Sequence, residues 1–337
     1  MRAKTYLLLA ALVVLHGILL FAGFVAPYDP IAQDRELPYA PPTTLHFADG
    51  SGWHVRPFVY GWTTGPDGYI EDNSRPLPIH FFVRGSSYSV IGVFQTNWHL
   101  FGVADPAKVA LFGTDGFGRD EFSRILYGGQ ISVAAGLAAT LIALLVGAVF
   151  GMMAGFYGHW ADESLMGATE LFLSLPWLYF LLGMRAFLPL HVSPVKTFFL
   201  VTCVIGTIGW ARPARLIRGI VLSARSRNYV LAAQGFGGST CYILRRHILP
   251  EISGVLLTQA TVLVPRYIAA EVTLSFFGLG VSEPVASWGN MLSTLQQYNV
   301  LVSYGWMFAP AGALIITSVI YGLLADTLHS QLKFYSR

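Results

Sequence analysis

Charge is what this sequence has least of. Only 12% of its 337 residues are Asp, Glu, Lys or Arg, about half the share of an ordinary soluble domain. Cysteine is scarcer still, with Cys203 and Cys241 the only two. One falls in an apolar run and the other in a basic stretch, so they read as unpaired thiols rather than a disulfide framework. No Walker sequence, no H-E-x-x-H and no G-x-S-x-G is present. That leaves no hydrolytic or redox constellation, so no catalytic residue is expected and ATP hydrolysis by this chain is excluded. His46, His54, His80 and His99 lack metal-ligand spacing, and no metal site is expected from them. Acid is missing altogether from Ala211 to Pro250, a stretch that carries seven arginines.

What the chain has is apolar length. Hydrophobic residues make up 54% of it, and the mean hydropathy is +0.55. A membrane span takes about 20 apolar residues. Six runs qualify, near 7–25, 131–157, 165–188, 197–218, 252–275 and 305–325. Arg2 and Lys4 precede the first run, which is longer than the core of a signal peptide. It is predicted to be an uncleaved span with its N-terminus in the cytoplasm. Residues 26–125 break the pattern with turn-forming Pro and Gly and short alternating runs, His80–Arg84 and Tyr88–Phe94, that read as strands. The expected division is 1–26, an extracytoplasmic insert 27–125, and a five-helix core 126–337 with a cytoplasmic loop 223–250.

The arginines fix that loop. Each would cost about 2.5–3.5 kcal/mol at a bilayer centre, so most of the seven are expected in water or among headgroups, on the cytoplasmic side. A basic patch can mean nucleic acid, but membrane topology accounts for this one without it. Arg212, Arg215 and Arg218 recur every three residues on roughly one helix face. Snorkelling to headgroups and contact with a cytoplasmic partner are both open for them. Ala232, Ala233, Gly235, Gly237 and Gly238 form a patch that another protein could approach closely.

Ionisable residues also fall inside runs, where each is a functional hypothesis. Glu170 reads as a packing or gate contact or as a proton relay. Arg266 and Glu271 are five residues apart, share no face, and need separate partners. Ahead of the second run, Gly113, Gly116 and Gly118 do not have phosphate-loop spacing. Asp115, Arg119, Asp120 and Arg124 can instead form an ion-pair network capping the span, with a substrate contact as the alternative. Within that span Ala143, Gly147, Gly151 and Gly155 recur every four residues, a stripe that permits close helix packing.

Several of these segments, in order over about residues 112–330, resemble motifs of ABC-importer permeases of the dipeptide and oligopeptide family. The first is Gly113-Thr114-Asp115-x-x-Gly118-Arg119-Asp120, then Ser123-Arg124 and Tyr127-Gly128. Glu170-x-x-Leu173-Ser174-x-Pro176 has Glu where the family has Asp. Leu231-Ala232-Ala233-x-x-x-Gly237 followed by His247-x-Leu249-Pro250 is similar to the coupling loop, with Leu231 in place of the family's Glu. Thr273 to Gly280 and Ser287-Trp288-Gly289 resemble a further motif, with Phe277 for a usual Leu; near the end, His329 stands where the family has Arg.

The resemblance implies an all-α membrane protein of six transmembrane helices, the type I ABC importer permease fold, with a partly β extracytoplasmic insert. It implies a bacterial inner-membrane subunit, both termini cytoplasmic, that imports peptides or similar small solutes. Its partners would be a sister permease in a heterodimer, two cytoplasmic ATPases and an extracytoplasmic solute-binding protein, besides lipid. ATP and Mg would be used by the ATPases, and no cofactor would be bound here. Leu231, Ala232, Ala233, Gly237, His247 and Pro250 would dock the loop on an ATPase. An ion-coupled secondary transporter relaying through Glu170, Arg266 and Glu271 is the alternative, opposed by the absence of a detectable inverted repeat. A membrane-anchored binding protein built on the insert is a third.

Overall fold

The computed structural model describes residues 2–335 apart from 51, 66–67, 91, 105–107, 177–178, 180–182 and 184–192. Two compact units emerge, one of Met1–Leu12, Val133–Leu274 and Ile316–Arg337, the other of Val13–Ser132 and Ser275–Ile315.

Five helical stretches among the described residues are long and apolar enough to cross a membrane. They are Ala3–Leu20, Glu121–Tyr157, Pro194–Arg225, Thr240–Phe276 and Gly305–Ser330. The expected third span, 165–188, runs beyond the described residues; its described part is α4 (His159–Ser174).

The first unit includes the start of α1 (Arg2–Leu20), α3 (Glu121–Tyr157, from Val133 on), α4, α5 (Pro194–Ile208), α6 (Ala211–Arg225), α7 (Asn228–Gly235), α8 (Thr240–Ile243), α9 (Leu249–Phe276, up to Leu274) and the end of the last helix, Ala309–Tyr335. With no hydrophobic difference between lipid tails and leucine, close packing needs small residues. The stripe supplies them: a Cβ on Gly147 would sit 3.0 Å from the Trp210 carbonyl oxygen, on Gly151 2.6 Å from that of Ala214, and on Gly155 2.8 Å from that of Arg218. These three glycines therefore let the α3 and α6 backbones touch. Trp210, buried at the α5–α6 junction, stacks edge-on against Phe150 and Phe172.

Two span boundaries differ from the sequence expectation. The helix of the fourth run reaches to Arg225 and not only to 218, and Arg212, Arg215 and Arg218, read on one helix face, lie within it. The helix of the fifth begins well ahead of the expected 252. Helix is continuous from Thr240, through a single π turn at Leu244–Ile248, to Phe276. The π turn explains how Pro250 is tolerated. The Leu249 amide donates to the Leu244 carbonyl, five residues back, so the ladder has already slipped where Pro250 lacks a donor.

The second unit holds the strands. β1 (His46–Asp49), β2 (Gly52–Gly65) and β3 (Gly68–Pro78) form an antiparallel sheet in that order, and β4 (His80–Val90) pairs with β5 (Phe94–Gly102). The run Tyr88–Phe94, read as one strand, contains instead the end of β4, a turn closed by the Val93 amide on the Val90 carbonyl, and the start of β5. Gly92 at φ +70° supplies the left-handed residue that the turn needs. Val59, Ile79, Phe101 and Val109 make the core here. His99, 1% exposed, spans two carbonyls, Ala26 at 2.6 Å and Ser86 at 2.9 Å. α10 (Trp288–Ser293) starts with a capping box, Ser287 and Asn290 satisfying each other's backbone amides. The Trp288 indole donates to the Ile125 carbonyl at 2.9 Å.

Candidate coupling site and charged clusters

The stretch from 226 to 248 folds as the short helix α7 and the first turns of the helix that runs on into α9, joined at Phe236–Ser239. Val230, Ile243 and Ile248, each no more than 1% exposed, plug into a buried cluster with Ile217, Val221, Ala224 and Ile252. Ser239 caps α8 by accepting from the Tyr242 amide. Gly237 lies at φ +81°, where a Cβ would meet nothing within 4 Å, so it is needed for its backbone conformation and not for space. Gly238 is needed for space: a Cβ there would stand 2.7 Å from the Ala233 carbonyl oxygen. A brace comes from α9, where one Glu251 oxygen accepts from Arg227 at 2.9 Å and from the Tyr229 hydroxyl at 2.9 Å. Among the motif residues, Leu231, Ala232, Gly237 and Pro250 are exposed, and Ala233 is half-buried. His247 sits in the π turn between the rings of Tyr229 and Tyr242. Phe236 is 93% exposed at the tip. The result is a firmly backed ledge with an apolar outer face. Sequence reading missed Phe236, a wildcard in the motif, and Glu251, which lies beyond it.

The signature before α3 forms a second cluster. Asp115 pairs with Arg119 at 2.7 Å and with Arg124 at 3.6 Å. Glu283 pairs with Arg119 at 2.6 Å and with Arg124 at 2.9 Å. Both arginines are buried, and the Arg119 guanidinium also stands over the Phe117 ring. Glu283 was not legible: 164 residues separate it from Arg119. Asp120 does not join the network as expected. It faces the helix instead, where one oxygen accepts from the Ser123 amide at 2.8 Å and hydroxyl at 2.6 Å, the geometry of an N-cap. Thr114 accepts from the Ala40 amide and donates to the Leu37 carbonyl, and Gly118, at φ +68°, lies against the Asp34 carbonyl. Gly113, at φ +72°, lies against the Ala40 carbonyl. The signature thus knits residues 34–40 to the start of α3.

The remaining charged residues separate. Arg218 makes a two-pronged pair with Asp162, Nε to Oδ1 at 2.6 Å, and holds that carboxyl below its usual range. Arg215 is exposed. Arg212 and Arg266 line one cavity of about 140 Å³. Glu170 is exposed on α4, away from the 1% exposed Glu271 in burial and environment. No group of three or more potential ligands converges among the described residues.

The profile of the family described as binding-protein-dependent transport system inner membrane component matches residues 147–333. The oligopeptide transport system permease protein OppC of Bacillus subtilis (strain 168) is 37% identical over 228 residues, 67% of this chain and 72% of that protein. The dipeptide transport system permease protein DppC of the same organism is 36% identical over 248 residues, 73% and 74% of the two chains. OppC of Escherichia coli (strain K12) is 34% identical over 253 residues, 75% and 82%. Among solved structures, the MetNI methionine ABC transporter in inward-facing conformations aligns at TM-score 0.44 and 15% identity over 61% of this chain and 95% of that one. The profile spans α6, the ledge and α9, and with relatives this similar over two thirds of the sequence, the chain belongs to the binding-protein-dependent transport system inner membrane component family.

Proposed function

We propose that the chain is the permease subunit of an ATP-driven importer of peptides or similar small solutes. It forms half of a pore with a sister permease. Two cytoplasmic ATPases bind and hydrolyse ATP with Mg, and a solute-binding protein delivers cargo on the other face. The insert and both termini take the sides that the basic loop dictates, with 223–250 and the chain ends in the cytoplasm. Relatives named as oligopeptide and dipeptide permeases support the peptide reading. They also favour it over the ion-coupled alternative.

The observation that carries the reading is the ledge. An exposed apolar tip on a buried, hydrogen-bonded base suits a lever that must pass a push from an ATPase into α6 and α9 without deforming. Purification of the tagged chain in mild detergent tests it. A second permease and two ATPases are expected by mass spectrometry. Recovery of a monodisperse chain alone would sink the proposal.

A further inference from the structure

Arg212 and Arg266 are an arrangement that the coupling role does not use. Arg266 lies 16 residues after Pro250 and ten before Phe276 on a continuous helix, which at 1.5 Å per residue is about 24 Å and about 15 Å from those points. Arg212 lies 13 residues before Arg225, or about 20 Å along its helix. Arg266 therefore sits deep in its span, farther from either end than snorkelling covers, and Arg212, in the first turn of α6, borders the same cavity. Neither makes a hydrogen bond or ion pair among the described residues, and no carboxylate lines their cavity. The rest of the wall is apolar, with Phe172, Ile205, Ile208 and Leu263. The one phenol, Tyr267, is already engaged with the Gly209 carbonyl at 3.2 Å.

Both side chains are exposed in the chain by itself, and two like charges that share one cavity with no carboxylate in its wall call, within a bilayer, for an anion from outside the chain. A guanidinium pair suits a planar carboxylate. The space of about 140 Å³ beside it holds a group of about benzene size. We propose that Arg212 and Arg266 form a carboxylate site within the membrane, which takes the terminal carboxylate of a passing solute with its last apolar side chain in the cavity. The solute assignment rests on the peptide-import reading. An anionic lipid headgroup offers related chemistry and has to be distinguished.

The test uses the intact complex, without binding protein, in phosphatidylcholine nanodiscs and in nanodiscs containing phosphatidylglycerol. Binding of leucyl-leucine, its C-terminal amide and N-acetyl-leucine is measured by calorimetry. The two acids should bind at least about tenfold more tightly than the amide, the scale of a charged hydrogen bond. Arg266→Gln should erase that preference and Arg266→Lys should keep part of it. The acid–amide comparison on the unaltered complex holds even if a variant fails to assemble. Equal affinity for acid and amide would overturn the site. Binding of acids in neither lipid, with phosphatidylglycerol alone raising thermal stability, would assign the arginines to lipid and overturn the solute role. Arg266-dependent binding of N-acetyl-leucine in a complex that takes up no peptide would leave the site standing and remove the peptide reading alone.

Discussion

Asp120 is a carboxylate that its surroundings would rather keep neutral. Burial pushes it up to about 6, against the pull of the Ser123 hydroxyl and backbone amides, and its Oδ1 is buried with no hydrogen-bond partner among the described residues. A folded value above the unfolded 3.8 means that the folded state holds the proton more tightly. Stability should then fall as pH rises from about 4 to about 6 and stay reduced above, by at most about 3 kcal/mol. Asp120→Asn keeps the cap acceptor and cannot ionise. It should be more stable than the parent by about 1–3 kcal/mol at pH 7.5 and no different at pH 4; melts of the purified complex at both pH values would contradict this if the two proteins tracked each other. Gly237 poses a backbone question. Valine at φ +81° costs about 1–2 kcal/mol, and with open space around it the strain stays in the turn. Gly237→Val should lower uptake by about tenfold, the scale of that strain, while ATP hydrolysis continues; unchanged uptake in vesicles would remove the lever argument. At this scale the sequence was partly legible. Gly237 and Gly118 stood out because a motif names them. Glu283 and Glu251 did not, because ion pairing across 164 or 24 residues leaves no local pattern.

Elements carry the proposed coupling. The ledge is stiff because α7, α8 and the π turn each bury one β-branched residue in the same cluster as α6 and α9. The face turned outward is small and apolar, with Phe236 foremost. Exposed aromatics set in a patch of small residues are where binding energy concentrates. Phe236→Ala should therefore leave the stability of the chain within about 0.5 kcal/mol. It should weaken ATPase retention by about tenfold or more, as read by titrating the ATPase onto the permease pair in detergent. Equal retention would move the contact to Leu231 or elsewhere. Apolar runs located the helices, since length and hydropathy suffice for that. They misplaced the start of the fifth span, because helix continues without a break from the polar Thr240, and a π turn leaves no mark in composition. Pro250 is carried inside that helix by the slipped ladder behind it.

For the whole molecule, the order of apolar runs and the basic stretch predicts sides as well as spans. Cys241 and Cys203 are both exposed, and Cys241 lies in the ledge. With Cys203 changed to Ser, Cys241 becomes a single reporter for the loop. Trp53→Cys, in β2 and 87% exposed in the parent, reports in the same way for the insert. Seven arginines without an acid between Ala211 and Pro250 predict a cytoplasmic Cys241. A membrane-impermeant maleimide should then label it in inside-out vesicles and leave it untouched in right-side-out ones. Trp53→Cys, examined with Cys241 also changed to Ser, should behave in the opposite sense. The ledge adds a second condition. If an ATPase covers it, labelling of Cys241 in inside-out vesicles should speed up when the ATPases are stripped, whereas a loop that is merely cytoplasmic would label at one rate throughout. Label reaching Cys241 from the outside would reverse the topology, and with it every assignment that follows from the positive-inside rule.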